Sequence, residues 1–103
     1  MQNVEIEYTK KSVQKILERI SVFQKGKESG NYDAVVILVD ILESVKKCNF
    51  TDQQKRVFKL RFLLEYTQQE VGQELGIGRD AVADHIEAII NKVTKQLTTG
   101  VTI

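Results

Sequence analysis

Arg79, Asp80, Ala83, Asp84 and His85 fall within two turns of a single helical stretch, and their chemistry suits recognition rather than bond making. A guanidinium such as that of Arg79 forms a bidentate pair with O6 and N7 of guanine, and a carboxylate such as that of Asp80 accepts from the cytosine amino group. Ala83 and Asp84 follow, then His85, Glu87 and Ala88, which weakens base contact at the next turn. Asp84 and Glu87 repel phosphates wherever they face them. Arg79 also reads as a surface ion pair with Asp80 or Glu74, but its place at the head of the helix favours contact with a base or a phosphate.

Bond-making chemistry has no comparable support. His85 is the sole histidine and Cys48 the sole cysteine, so the chain offers neither an internal disulfide nor a set of soft metal ligands. Asp84 and Glu87 do not complete a metal site around His85. There is no phosphate-binding glycine loop, nucleophile elbow or Cys–His pairing. The expectation is a protein that is not an enzyme and takes no metal or cofactor.

The elements that must position Arg79 to Glu87 are two short helices meeting at a glycine turn, a helix-turn-helix. Thr67 can cap the first helix while Glu70 reaches back to it, and Tyr66 and Val71 are placed to staple its start. Gly72 is small where the helices approach. Gly76, after Leu75, supplies the left-handed residue that ends the first helix. Val71, Leu75, Ile77, Val82 and Ile86 form the apolar seam. In DNA-binding proteins built this way the second helix lies in the major groove. Thr67 and Gln68 stand at a helix N-terminus able to hold a phosphate. Lys55, Arg56 and Lys59, with Arg61, form the main basic cluster of this half and are candidates for the DNA backbone; a solvated helical face explains them almost as well.

Upstream, the pattern is again helical. One helix is predicted from about Thr9 to Gln24, with Val13, Ile16, Leu17, Ile20 and Phe23 on one stripe. A second is predicted from Asn31, as cap, to about Lys47. It carries more apolar residues than one stripe can use. Its β-branched content also fits a strand, but the 35, 38, 39, 42, 45 spacing favours helix. The surplus is explained either by burial within the chain or by a homodimer seam through Val36, Ile37 and Ile41. Thr51 and Gln54 form a further capping box opening a helix to about Leu64, with Val57, Phe58, Leu60, Phe62 and Leu64 as candidate core. The last helix is predicted to about Gln96, leaving a tail from Thr98 to Ile103. The fold class is all-α: an N-terminal helical pair over 1–49, a helix-turn-helix unit over 50–97 and a flexible tail over 98–103.

At 103 residues the chain suits one modest core. Fifteen Lys and Arg against fourteen Asp and Glu give a net charge of +1, which removes the strongly basic footprint usual for nucleic-acid binders working alone. The acidic opening Met1–Glu7 and the lack of a long apolar run predict neither a leader nor a membrane span, and a cytoplasmic protein.

From Phe50 to Val93 the residues resemble the fourth conserved region of bacterial sigma-70-type factors: Thr51, Gln54, Arg56-Val57, Leu60-Arg61, Thr67-Gln68, Glu70-Val71-Gly72, Leu75-Gly76-Ile77, Arg79 and Val82. With the stretch from Asp33 to Lys47 added, the chain is also similar to small phage-encoded sigma-like and ArpU-type late-gene regulators. The resemblance implies a module that reads double-stranded DNA with Arg79 and the residues after it while neighbouring helices touch RNA polymerase. Met1 to Asn49 lacks the aromatic and basic cluster that a promoter-melting domain would need, so an autonomous sigma factor is not expected. Two functions follow: a sequence-specific transcription regulator acting as a dimer or with RNA polymerase, or a protein-interaction module that keeps the fold and binds polymerase or a host regulator without reading DNA.

Overall fold

The computed structural model describes residues 8–20 and 32–100, and within them every regular element is helical. Helix α1 spans Lys10–Glu18 and opens on a capping box in which Thr9 Oγ1 accepts from the Ser12 N–H at 3.1 Å and Ser12 Oγ accepts from the Thr9 N–H at 2.9 Å. It ends at Arg19, whose φ of −110° and ψ of 8° leave the helical region. The sequence pattern predicts a longer helix. Its continuation to Gln24, like the Asn31 cap, lies outside the described residues.

Helix α2 spans Tyr32–Lys47. Ile37, Ile41, Ser44 and Cys48 follow helical spacing along its inner stripe; Ile41 and Ser44 are buried, and Ile37 and Cys48 are half-buried against the core. This corrects one expectation. Ile41 is fully buried in the chain's own core and is unavailable to a dimer seam, whereas Val36 is 42% exposed and Val39 51% exposed. Burial inside the chain therefore accounts for much of the apolar surplus of α2, with Leu38 and Val45 also packed against the core, and leaves Val36 and Val39 facing outward.

Helix α3 begins at Asp52, capped by Thr51 and Gln54 as the spacing predicts, and after Phe58 widens into a π-helical turn over Lys59–Leu63. The Leu64 N–H donates to the Lys59 carbonyl at 3.0 Å, one residue further back than an α-helix allows. This extra residue breaks the inward stripe. Phe58 and Phe62 remain buried with ring centroids 5.6 Å apart, but Leu64, expected in the core, is 51% exposed. Glu65 follows with a φ of 61°, a left-handed conformation that L side chains rarely adopt. The segment is closed by the Tyr66 N–H donating to the Leu60 carbonyl and by Arg61 Nη1 donating to the Tyr66 carbonyl at 3.4 Å.

Helices α4, Gln68–Leu75, and α5, Arg79–Gly100, complete the chain. The 22 residues of α5 make a rod about 33 Å long against which α1, α2, α3 and α4 all pack. Val82, Ile86, Ile89, Ile90, Val93 and Leu97 line its buried side and meet Val13, Leu17, Ile41, Val57 and Val71 in one core. Each such side chain contributes roughly 1.5–3 kcal/mol relative to leaving it in water. The N-terminal helices and the helix-turn-helix thus share a core. The helix runs to Gly100, past the end predicted at about Gln96, with Leu97 buried and Thr98 Oγ1 donating to the Lys95 carbonyl. Residues 101–103 lie outside the described part.

Lys92 ties α5 to the start of α3. Its ammonium donates to the Asn49 carbonyl at 2.8 Å and to Gln54 Oε1 at 2.7 Å, and lies 6.0 Å from the centre of the Phe50 ring. Gln54 Oε1 therefore serves both the capping box and this clamp. Nearby, burial raises the pKa of the Cys48 thiol, partly offset by the Lys92 charge. A raised pKa keeps the thiol protonated and poorly nucleophilic.

Candidate nucleic-acid interface

The turn between α4 and α5 holds the two helices in a fixed relation. The chain leaves α4 through Gly76 at φ 67° and ψ 34°, with its N–H on the Gly72 carbonyl, and Ile77 donates to that same carbonyl at 3.0 Å. A β-carbon at Gly72 would sit 2.9 Å from the Ile77 carbonyl oxygen, inside the contact limit, so the return of the chain over α4 requires glycine there. Gly78 then accepts from the Val82 N–H at 3.1 Å and α5 starts at Arg79. Val71, Val82 and Ile86 are buried beneath the turn and Leu75 and Ile77 half-buried, as the seam predicts.

At the start of α4, Thr67 and Glu70 form the expected capping box: Oγ1 of Thr67 accepts from the Glu70 N–H at 3.1 Å, and Glu70 Oε1 accepts from the Thr67 N–H at 2.9 Å. These bonds hold the Glu70 carboxyl below its ordinary pKa. They also use two of the four free N–H groups of the helix start, leaving those of Gln68 and Gln69 pointing toward any anion placed there. Thr67 is thus first a cap.

Arg79, Asp80, Ala83 and Asp84 are all exposed on the leading turns of α5, and His85 is half-buried. Among the described residues neither Asp80 nor Glu74 pairs with Arg79, so the surface ion pair that competes with a binding role is not made. Arg79 and Gln68 line the same surface depression, together with Gln69, Gly72, Gln73, Gly76 and Ile77. Arg79 and Gln68 are candidates from sequence alone, whereas Gln69 and Gln73 belong to no motif. Their i, i+4 spacing places them on one face of α4, which is the one sequence signal that marks them. Lys55, Arg56 and Lys59 are exposed on α3, away from the core; Arg61, counted with them, is half-buried, with its guanidinium bonded to the Tyr66 carbonyl and 5.8 Å from the Phe62 ring centre.

An exposed helix start, fixed by a glycine turn to a capped partner helix and to a third helix bearing cations, is the arrangement of a DNA-binding helix-turn-helix. Residues 50–95 match the family model of sigma-70, region 4. The sigma-70 region 4 match begins at Phe50 and takes in α3, the π turn, α4 and most of α5, a little under half of the chain. The segment is thus similar to sigma-70 region 4, which is itself a DNA-binding helix-turn-helix. No curated protein and no solved structure matches the chain. No helix among the described residues is long and apolar enough to cross a membrane, and no cluster of His, Cys, Asp and Glu among them is arranged to hold a metal ion.

Proposed function

We propose that the chain is a sequence-specific transcription regulator of the phage late-gene kind, which lays the start of α5 in the major groove of double-stranded DNA and acts as a dimer or together with RNA polymerase. The observation that carries this reading is Arg79, exposed at the head of α5 and without an ion pair among the described residues, inside the segment that matches sigma-70 region 4. In this arrangement Arg79, Asp80, Ala83, Asp84 and His85 face base edges. Thr67 and Gln68 meet a phosphate at the start of α4, and Lys55, Arg56 and Lys59 meet the backbone. A net charge of +1 argues for help, because few phosphate contacts give weak binding at physiological salt.

Val36, exposed on α2, and the half-buried Ile37 beside it support self-association as one form of that help. Val36→Glu should then give a folded monomer in light scattering over a concentration series, while Ile41→Glu should unfold the chain. A wild-type protein that is monomeric at every concentration leaves polymerase as the source of help. Selecting genomic DNA fragments with the purified chain, alone and with RNA polymerase, tests the main reading: enrichment of a common site supports it, and none under either condition refutes it. The exposed carboxylates of Asp84 and Glu87 favour a second reading, a surface that binds polymerase or a host regulator without touching DNA. Capture of such a partner with no DNA enrichment is its expected result.

A further inference from the structure

We propose that α5 selects a cytosine through the carboxylate of Asp84, beside a guanine read by Arg79, an inference that rests on the DNA-binding reading above. Asp84 is exposed and makes no hydrogen bond or ion pair among the described residues. Asp80 has a structural use, since it stands in the first turn of α5, where the positive end of the helix dipole favours a carboxylate. Asp84 stands one turn further on and draws less from the dipole. Ala83 beside it is exposed and small, which lets the backbone of α5 come close to the bases.

A carboxylate on a helix in the major groove is repelled by the phosphates on both sides and is tolerated only where it meets a donor. The groove offers two, the amino groups of cytosine and adenine. Adenine sets its N7 acceptor next to that amino group, opposing a second oxygen of the carboxylate, whereas cytosine presents the amino group without a neighbouring acceptor on the same base. Asp84 therefore favours cytosine. An amide answers both groups of adenine, so Asp84→Asn should exchange the preferred base rather than merely relax it. The two side chains are of nearly equal size, and a surface position without a partner among the described residues leaves folding unchanged.

The test is selection from a pool of randomised duplexes with the full chain and with Asp84→Asn, followed by competition titrations on the selected sites. The wild type should enrich a guanine with a cytosine at a fixed offset. Asp84→Asn should replace that cytosine by adenine, with a reversal of about tenfold in relative affinity, and leave the guanine unchanged. Enrichment of the same site by both proteins, or of a site with no cytosine by the wild type, overturns the inference while keeping the DNA-binding reading. Enrichment of no site by either protein overturns both.

Discussion

Two helices of one module carry opposite charge. Exposed Lys55, Arg56 and Lys59 make α3 cationic, and exposed Asp80, Asp84 and Glu87 make the leading part of α5 anionic apart from Arg79. In the proposed DNA-binding role, the difference separates two tasks. Under the proposed function, phosphate attraction, which is long-ranged and indifferent to sequence, would fall to α3, and discrimination at base edges to α5, whose acids would penalise every placement that lacks a donor. On that proposal a near-neutral chain would bind DNA selectively, with modest affinity. The packing of α3 on α5 and the clamp from Lys92 to Gln54 hold the two surfaces in register.

The comparison breaks most sharply if the cations of α3 are removed. Lys55, Arg56 and Lys59 all replaced by alanine should weaken binding to every duplex on the order of a hundredfold and lower the slope of log affinity against log salt by about 2.7, without changing the preferred site. A changed site with unchanged salt slope would move the base-reading role to α3. Disturbing the junction comes next. Gly72→Ala places a methyl against the Ile77 carbonyl, and the resulting shift of α5 relative to α4 should cost about 1–3 kcal/mol in denaturant unfolding and lower selectivity. Unchanged stability would show that the close approach is dispensable. The smallest effect is expected from Gly78→Ser. No heavy atom lies within 4 Å of an added β-carbon at Gly78, and a hydroxyl before Arg79 can cap α5, so stability should rise by a few tenths of a kcal/mol. A loss would mean that the backbone there needs glycine.

The helix-turn-helix was the most legible part because local chemistry dictates it. Thr67 with Glu70, and Gly76 after Leu75, specify a start and a stop that are nearly independent of the remaining fold. The same held for Thr51 with Gln54. The π turn was not legible: a single residue added between Phe58 and Leu64 leaves no compositional mark, yet it turns Leu64 outward and uses Arg61 on the Tyr66 carbonyl. For α2 the apolar excess is plain, but which residues meet α5 depends on tertiary packing, so the sequence leaves internal burial and a dimer seam both open for Ile41, which is buried. At the site, exposure of Arg79 followed from its place before the seam. The depression that joins Arg79 to Gln68, Gln69 and Gln73 required the fold, because it is formed across the turn by two helices.

The proposed division of labour between α3 and α5 is tested most directly by titrating wild type and Arg79→Ala, across a range of salt, against the selected site and against a scrambled duplex of the same composition. Arg79→Ala should lose about 1–3 kcal/mol on the selected site and little on the scrambled one, with the scrambled-site salt slope unchanged. Equal losses on both duplexes, with a slope lowered by about one, would make Arg79 a phosphate contact and contradict base reading by α5.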